Sequence, residues 1–371
     1  MRVLFLSVST GGGHEKAAQA LKESLGLFYP GTASMTVDSL KYINPVFERL
    51  LVNSYITTVK EKPQIYKKIF YSSNLNHISS AVNSFFSHKL LKLLKSFKPS
   101  IAICTHPFPL QMLSSLKRRH EIDVPVIAVL TDYITHPSWI QDHTDAFIVS
   151  HEDMAESLLS KGVSPCNIHL FGIPVGQSFL KTRERSGLLK ELGLSSKPTV
   201  LIMGGSLGLG DIKSAFTALV SSRLEIQIII ITGENEKVRR ELLQIDHKGK
   251  EVKIIGYTNN VSLYMDVSDI LITKPGGMTV SEALVKHLPL ILISPLPGQE
   301  EGNMEFLVRE GAAVVANDIK SIKDIVIFLL KNPLKRSLMK EAAKRISRPC
   351  AANDTILLAK TLAEGEEEKA Q

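Results

Sequence analysis

Val3-Leu4-Phe5-Leu6-Ser7-Val8-Ser9-Thr10-Gly11-Gly12-Gly13-His14-Glu15-Lys16-Ala17-Ala18-Gln19-Ala20-Leu21 passes from an apolar run, through three consecutive glycines, into an alanine- and leucine-rich segment at helical spacing. A near-continuous apolar run is what a strand covered on both faces needs. Glycines between a strand end and a helix start let the backbone approach a ligand and aim N–H groups at negative charge. The loop is neither G-x-G-x-x-G nor a Walker A sequence, because no Gly-Lys-Ser/Thr follows, so dinucleotide or ATP binding has no support. His14 sits at the helix mouth, where an imidazole is kept neutral and can act as a base. A plain N-terminal loop carrying an incidental surface histidine fits the same residues.

The same alternation recurs outward from this start. Apolar runs at 3–8, 101–104, 126–130, 146–149 and 168–171 read as strands, and a second series follows at 199–203, 227–232, 252–255, 270–273, 290–293 and 313–315. Strands spaced by helix-period segments predict parallel sheets and an α/β class. At 371 residues the chain exceeds the ~250–300 at which a single hydrophobic core stops growing, so two domains are expected. Gly172, Pro174 and Gly176, a charged helix at 181–192 and Lys197-Pro198 mark the restart. The division expected is 1–173 and 174–345 as two Rossmann-like domains. Residues 346–371 form a C-terminal helix and acidic tail that packs back on the first domain. Helices broken at Pro349 and a frayed tail at 364–368 complete the reading.

The composition, 44 % apolar and 22 % charged, excludes a disordered or fibrous chain. Cys104, Cys166 and Cys350 fit no disulfide framework or zinc spacing, which points to a reducing compartment. No run of 18 apolar residues exists to span a bilayer, and 3–8 is too short for a signal peptide. The net charge of +7 is unevenly placed. Between Lys41 and Lys98 ten basic residues face only Glu48 and Glu61, a local +8, and the stretch holds nine of the 23 aromatics. Basic and aromatic residues together suit an anionic surface. The strongest candidate is 55–71, where Lys60, Lys62, Lys67 and Lys68 interleave with Tyr66 and Phe70. Phe86, Leu90, Leu93, Leu94 and Phe97 share one helical face with Lys89, Lys92 and Lys95 alongside, a face that could meet a membrane but is expected rather to pack on the sheet before strand 101–104.

Four more segments carry chemistry. Leu130-Thr131-Asp132-Tyr133-Ile134-Thr135-His136-Pro137-Ser138-Trp139 follows a strand, where Asp132 and His136 can orient a partner base and Trp139 can offer a contact surface. A capped turn with a core tryptophan is the alternative. Met203-Gly204-Gly205-Ser206-Leu207-Gly208 offers backbone and hydroxyl donors to a pyrophosphate. In Thr273-Lys274-Pro275-Gly276-Gly277-Met278-Thr279-Val280-Ser281-Glu282-Ala283-Leu284, two glycines open a helix that can hold phosphate, with Thr279 as a donor and Glu282 placed for a ribose diol. Pro297-Gly298-Gln299-Glu300-Glu301-Gly302-Asn303 is suited to sugar hydroxyls or is a solvated loop. With no D-x-D pair, a leaving diphosphate is expected to be neutralised by helix N-termini and backbone amides rather than by a carboxylate-held metal. No G-x-S-x-G or H-E-x-x-H sequence supports a hydrolase.

In this order the five motifs resemble those of plant monogalactosyldiacylglycerol synthases and bacterial diacylglycerol glucosyltransferases. These are relatives of the transferase that adds GlcNAc to lipid I. The resemblance covers residues 2–358 and implies a GT-B protein, two Rossmann-like domains facing a central cleft. It implies inverting transfer of a hexose from UDP-glucose or UDP-galactose to diacylglycerol, with no cofactor and no metal. It assigns His14 as the base, with Asp132 beside it, and Gly13, His136 and Trp139 to the acceptor side. UDP-sugar binding falls to Gly204, Gly205, Ser206, Tyr257, Gly276, Gly277, Thr279, Glu282, Gln299, Glu300 and Asn303. Glu15 and Lys16 follow the histidine where the family often has Arg or Val. The expected partners are a UDP-hexose, a diacylglycerol-like lipid and an anionic membrane surface, with no nucleic acid. The expected location is the inner face of the cell membrane, held peripherally from the cytoplasm. A UDP-GlcNAc 2-epimerase-like enzyme and a UDP-sugar-sensing regulator are the competing readings.

Overall fold

In the computed structural model, residues 1–9, 11–46, 49 and 80–369 are described, and within them the alternation resolves into two six-stranded parallel sheets. The first comprises β1 (Arg2–Ser7), β2 (Ala33–Asp38), β3 (Ile101–Cys104), β4 (Val126–Val129), β5 (Ala146–Ile148) and β6 (Ile168–His169), in the order β2-β1-β3-β4-β5-β6. The second comprises β7 (Thr199–Met203), β8 (Gln227–Ile231), β9 (Glu251–Ile255), β10 (Ile270–Thr273), β11 (Leu290–Leu292) and β12 (Ala313–Val315), in the order β12-β11-β10-β7-β8-β9. Two compact units contain them. One is Met1–Gln177 with Pro297–Gln299 and Arg348–Gln371, and the other is Ser178–Leu296 with Glu300–Ser347.

The unbroken apolar runs are explained by cores on both faces of each sheet. In the first unit Val3, Phe5, Ile101, Ile103, Ile127 and Val129 enter one core, while Leu4, Leu6, Ala102, Cys104, Ala128 and Leu130 enter the other. Successive residues of a strand point to opposite faces, so neither face can be polar. Leu90, Leu93, Leu94 and Phe97 of helix Ser80–Phe97 bury in the second of these cores, so this face is occupied by the sheet. The surface candidates Lys60, Lys62, Tyr66, Lys67, Lys68 and Phe70 lie outside the described residues. Among the described residues no helix is long and apolar enough to cross a membrane.

Helix Ala351–Lys369 packs against helix Gly13–Phe28 in the first unit, burying Ala352, Ile356, Ala359 and Ala363, and Ser24 Oγ donates to Asn353 Oδ1 at 2.8 Å. The small alanines let the helix come close. Gly172 (φ +96°) fits the same approach, since a Cβ there would stand 2.3 Å from Arg348 Cβ.

Two expectations change. Strand β2 carries no continuous apolar run, because it is a half-exposed edge strand paired only with β1. The helix expected at 181–192 is instead two short ones, Gln177–Leu180 and Arg185–Glu191. The second starts where the Glu184 carboxylate accepts from the N–H groups of Ser186 and Gly187 at 2.9 and 2.7 Å, a local bond that ends extended chain and begins helix. The acidic residues 364–368 lie within the last helix, which runs on to Lys369.

Both sheets have a point where the strand order reverses. After β1 the chain forms β2 on one side and returns to β3 on the other, and after β7 it forms β8 and β9 before returning to β10. Beyond the carboxyl ends of strands at such a point the connecting loops part and leave a crevice, the usual ligand site of an α/β sheet.

Candidate active site

At the first reversal, the loop after β1 leads into helix Gly13–Phe28 through Gly12 (φ +78°), so Gly13 and His14 form its first turn. His14 Nδ1 donates to the carbonyl oxygen of Thr105, 2.7 Å away, just past the end of β3. A carbonyl can only accept, so the ring proton is on Nδ1 and the lone pair is left on Nε2. Thr105 returns the contact: its Oγ1 donates to the His14 carbonyl at 2.8 Å. Thr131 Oγ1, just past β4, stands 2.9 Å from the same Nδ1. The imidazole is thus gripped by the ends of three neighbouring strands. Its basicity is pushed down to about 4, chiefly by burial, against which the Thr105 hydrogen bond acts.

His106 packs edge-to-face on His14 with ring centroids 4.6 Å apart. Its Nδ1 accepts from the Phe108 N–H at 3.0 Å and so caps helix Pro107–Arg118. Burial, then the neighbouring His14, holds it well below the usual histidine range, so the pair is neutral at physiological pH.

A base that is neutral down to about pH 4 shifts the acid limb of a rate profile. A base role for His14 needs the unprotonated ring, which is lost as pH falls through its own value, so with His14 in that role kcat/KM should stay flat through pH 6.5 and fall only near 4. Initial rates across that range check this, and an acid limb centred at 6.5 would contradict it.

The other acceptor-side candidates fare differently. Asp132 is half-buried one residue beyond Thr131, whose hydroxyl stands beside the imidazole. His136 Nδ1 accepts from the Ser138 N–H at 3.2 Å and caps the short turn Pro137–Trp139, a local structural duty. Trp139 is 4 % exposed within the core, so it offers no contact surface and braces the loop from beneath. Thr105 and His106 escaped the sequence reading although they too follow a strand directly.

At the second reversal, the loop after β7 is built on close backbone contacts. Gly205 and Gly208 take φ values of +69° and +55°, and a Cβ on Gly208 would lie 2.1 Å from the Thr232 carbonyl oxygen. The Glu234 N–H donates to the Ser206 carbonyl at 2.8 Å, and Asn235 Nδ2 to that of Gly208 at 3.1 Å, so the segment after β8 holds the loop. After β10, Gly276 precedes helix Gly277–Val285, whose N-terminus has no side-chain cap. Uncapped first-turn N–H groups carry partial positive charge outward, and Thr279 lies in that turn. Glu282 follows in the same helix, 3 % exposed. Ser206 and Gln299 are half-buried, and Tyr257, past β9, is 55 % exposed.

Two of the expected hydroxyl readers have other duties. Glu300 is 2 % exposed, ion-paired to Lys274, and its Oε2 accepts from the Leu296 N–H at 2.9 Å. Asn303 is fully buried and its Nδ2 donates to the Pro275 carbonyl at 2.9 Å. Both brace the loop after β10 from the side of helix Gln299–Arg309.

Comparison with known proteins adds to this geometry. Residues 14–175 match the monogalactosyldiacylglycerol (MGDG) synthase family, and residues 199–354 match the glycosyltransferase family 28 C-terminal domain. A processive diacylglycerol beta-glucosyltransferase of Bacillus cereus (strain ATCC 10987 / NRS 248) is 32 % identical over 366 residues, 96 % of this chain and 93 % of that protein. A protein of the same description from Staphylococcus epidermidis is 29 % identical over 338 residues, 89 % of this chain and 85 % of its own length. Among solved structures, MurG of Acinetobacter baumannii superposes with a TM-score of 0.62 at 15 % identity, covering 97 % of this chain and 99 % of that one. UDP-GlcNAc 2-epimerase of Neisseria meningitidis does so with 0.60 at 14 %, covering 96 % and 98 %. At such identities the structural likeness is one of fold alone.

Proposed function

The chain belongs to the family of monogalactosyldiacylglycerol synthases and diacylglycerol β-glucosyltransferases, and from that premise we propose that it transfers a hexose from a UDP-sugar to diacylglycerol with inversion. The observation that carries the acceptor half is His14, whose proton is held on Nδ1 by the Thr105 carbonyl. Its Nε2 takes the proton of the lipid's free hydroxyl as that oxygen attacks C1 of the α-linked sugar. One O–C1 bond forms, the C1–O bond to the diphosphate breaks, and the products are a β-glycoside and UDP. The imidazolium returns its proton to solvent. Nucleotide binding falls to the second unit, with Gly205, Ser206 and Thr279 toward the diphosphate and Glu282 toward the ribose, and the hexose falls to Gln299 in the segment after β11. The likeness to epimerases extends to the fold, whereas the relatives that match nearly the whole chain carry the glucosyltransferase description, which favours UDP-glucose.

A diacylglycerol acceptor stays in its bilayer, so the protein has to reach a membrane. Lys60, Lys62, Lys67 and Lys68, interleaved with Tyr66 and Phe70, support docking on the anionic inner face of the cell membrane, at about 1 kcal/mol per lysine. Both parts are tested by mixing purified protein with diacylglycerol vesicles and each UDP-hexose. UDP release should match β-glycosyl-diacylglycerol formed, and the protein should sediment with anionic vesicles more than with neutral ones. UDP release without a lipid product would overturn the transfer. Equal sedimentation with both vesicle types would overturn the docking.

A further inference from the structure

We propose that the Lys274 ammonium is the fixed cation that binds the leaving diphosphate, and that Glu300 is the residue that positions it. The inference deepens the donor-site reading above and rests on it.

Lys274 is the first residue after β10, beside β7 at the strand-order reversal, so its side chain starts between the two glycine loops. A Cβ built on Gly205 would stand 3.3 Å from Lys274 Cε, and one built on Gly276 would stand 3.5 Å from Lys274 Nζ. The side chain therefore lies along both loops, with its charge beside the uncapped start of helix Gly277–Val285.

Gly276 is informative because its backbone does not require glycine. Its φ is −72°, open to any L-residue, and the space at its Cβ is of ordinary contact size. A side chain there would cover the Lys274–Glu300 pair, and glycine leaves the pair open.

The pair itself is asymmetric. Glu300 is buried and tied to the backbone through Leu296, whereas Lys274 keeps 16 % of its side chain exposed. An ammonium has three N–H donors, and among the described residues that of Lys274 donates to Glu300 alone. Two donors remain for phosphate oxygens. An ammonium directed at charge that grows as the C1–O bond breaks stabilises the transition state more than the bound donor.

The test uses the full chain with uridine, UMP and UDP as probes, followed by transfer rates. Lys274→Met keeps the length of the side chain and removes its charge. It should weaken UDP at least tenfold and leave uridine within about twofold, while kcat falls further than UDP affinity. Lys274→Arg should recover part of both. Glu300→Gln, which keeps an acceptor for the Leu296 N–H, should retain UDP binding within a few-fold and lower kcat by loosening the ammonium. Equal losses for uridine, UMP and UDP in Lys274→Met would make the pair a loop brace only and overturn the proposal, as would unchanged UDP affinity. If the wild-type chain bound no UDP, the donor-site reading would fail first.

Discussion

His14→Ala should abolish most glycosyl transfer, lowering kcat by about 10²–10⁴-fold, the range of a lost general base, while UDP affinity stays at the wild-type value. The separation follows from the fold: the imidazole belongs to the first unit, gripped by Thr105 and Thr131, and the glycine loops after β7 and β10 belong to the second. Thr131→Val removes one contact to Nδ1 but leaves the Thr105 carbonyl, so its loss should be an order of magnitude or more smaller. Single-turnover lipid glycosylation beside equilibrium UDP titration checks both variants. Near-normal turnover in His14→Ala would remove the histidine from the chemistry.

Gly208→Ala should cost the second unit its loop. A methyl at φ +55° would meet the Thr232 carbonyl oxygen at 2.1 Å and Asn235 Cβ at 2.6 Å. Gly233 faces the same joint from the other side, where a Cβ would lie 2.2 Å from the Ser206 carbonyl oxygen. Neither strand of backbone can yield without breaking the bonds from Glu234 and Asn235. Left-handed strain and overpacking together cost about 2–5 kcal/mol, and UDP affinity should fall with the loop. Gly210→Ala is the control. Its φ is +94°, but the nearest neighbour of a Cβ is Ser294 Cβ at 3.8 Å, so only the backbone strain of about 1–2 kcal/mol applies. Denaturation midpoints and UDP titration of the two variants separate them. Equal effects would refute the close-contact account.

Much of this was legible in the residues. Strands β3, β7 and β10 begin and end where their apolar runs do, because a strand covered on both faces has to be apolar throughout. The glycine loops and His14 were legible because a tight strand-to-helix turn leaves a local mark. Strand β2 was not, because an edge strand is half-solvated and its composition resembles a loop. The burial of Trp139 was not legible, since nothing in Thr-His-Pro-Ser-Trp says whether an aromatic ring turns into the core or outward. Glu300 and Asn303 look like sugar readers in sequence and are buried braces in the fold.

Local sequence alone determined the class of fold, the repeat of strand, glycine loop and helix, and the residue able to serve as a base. These depend on side-chain period and on backbone freedom within a few residues. Tertiary structure decided which nitrogen of His14 carries the proton and which cation lies along the glycine loops. Thr105 is 91 residues from His14 and Glu300 is 26 from Lys274, so each pair meets only through sheet order and helix placement. Neighbouring strands reverse direction of growth at β1 and at β7, and that long-range choice is what turns separate loops into sites.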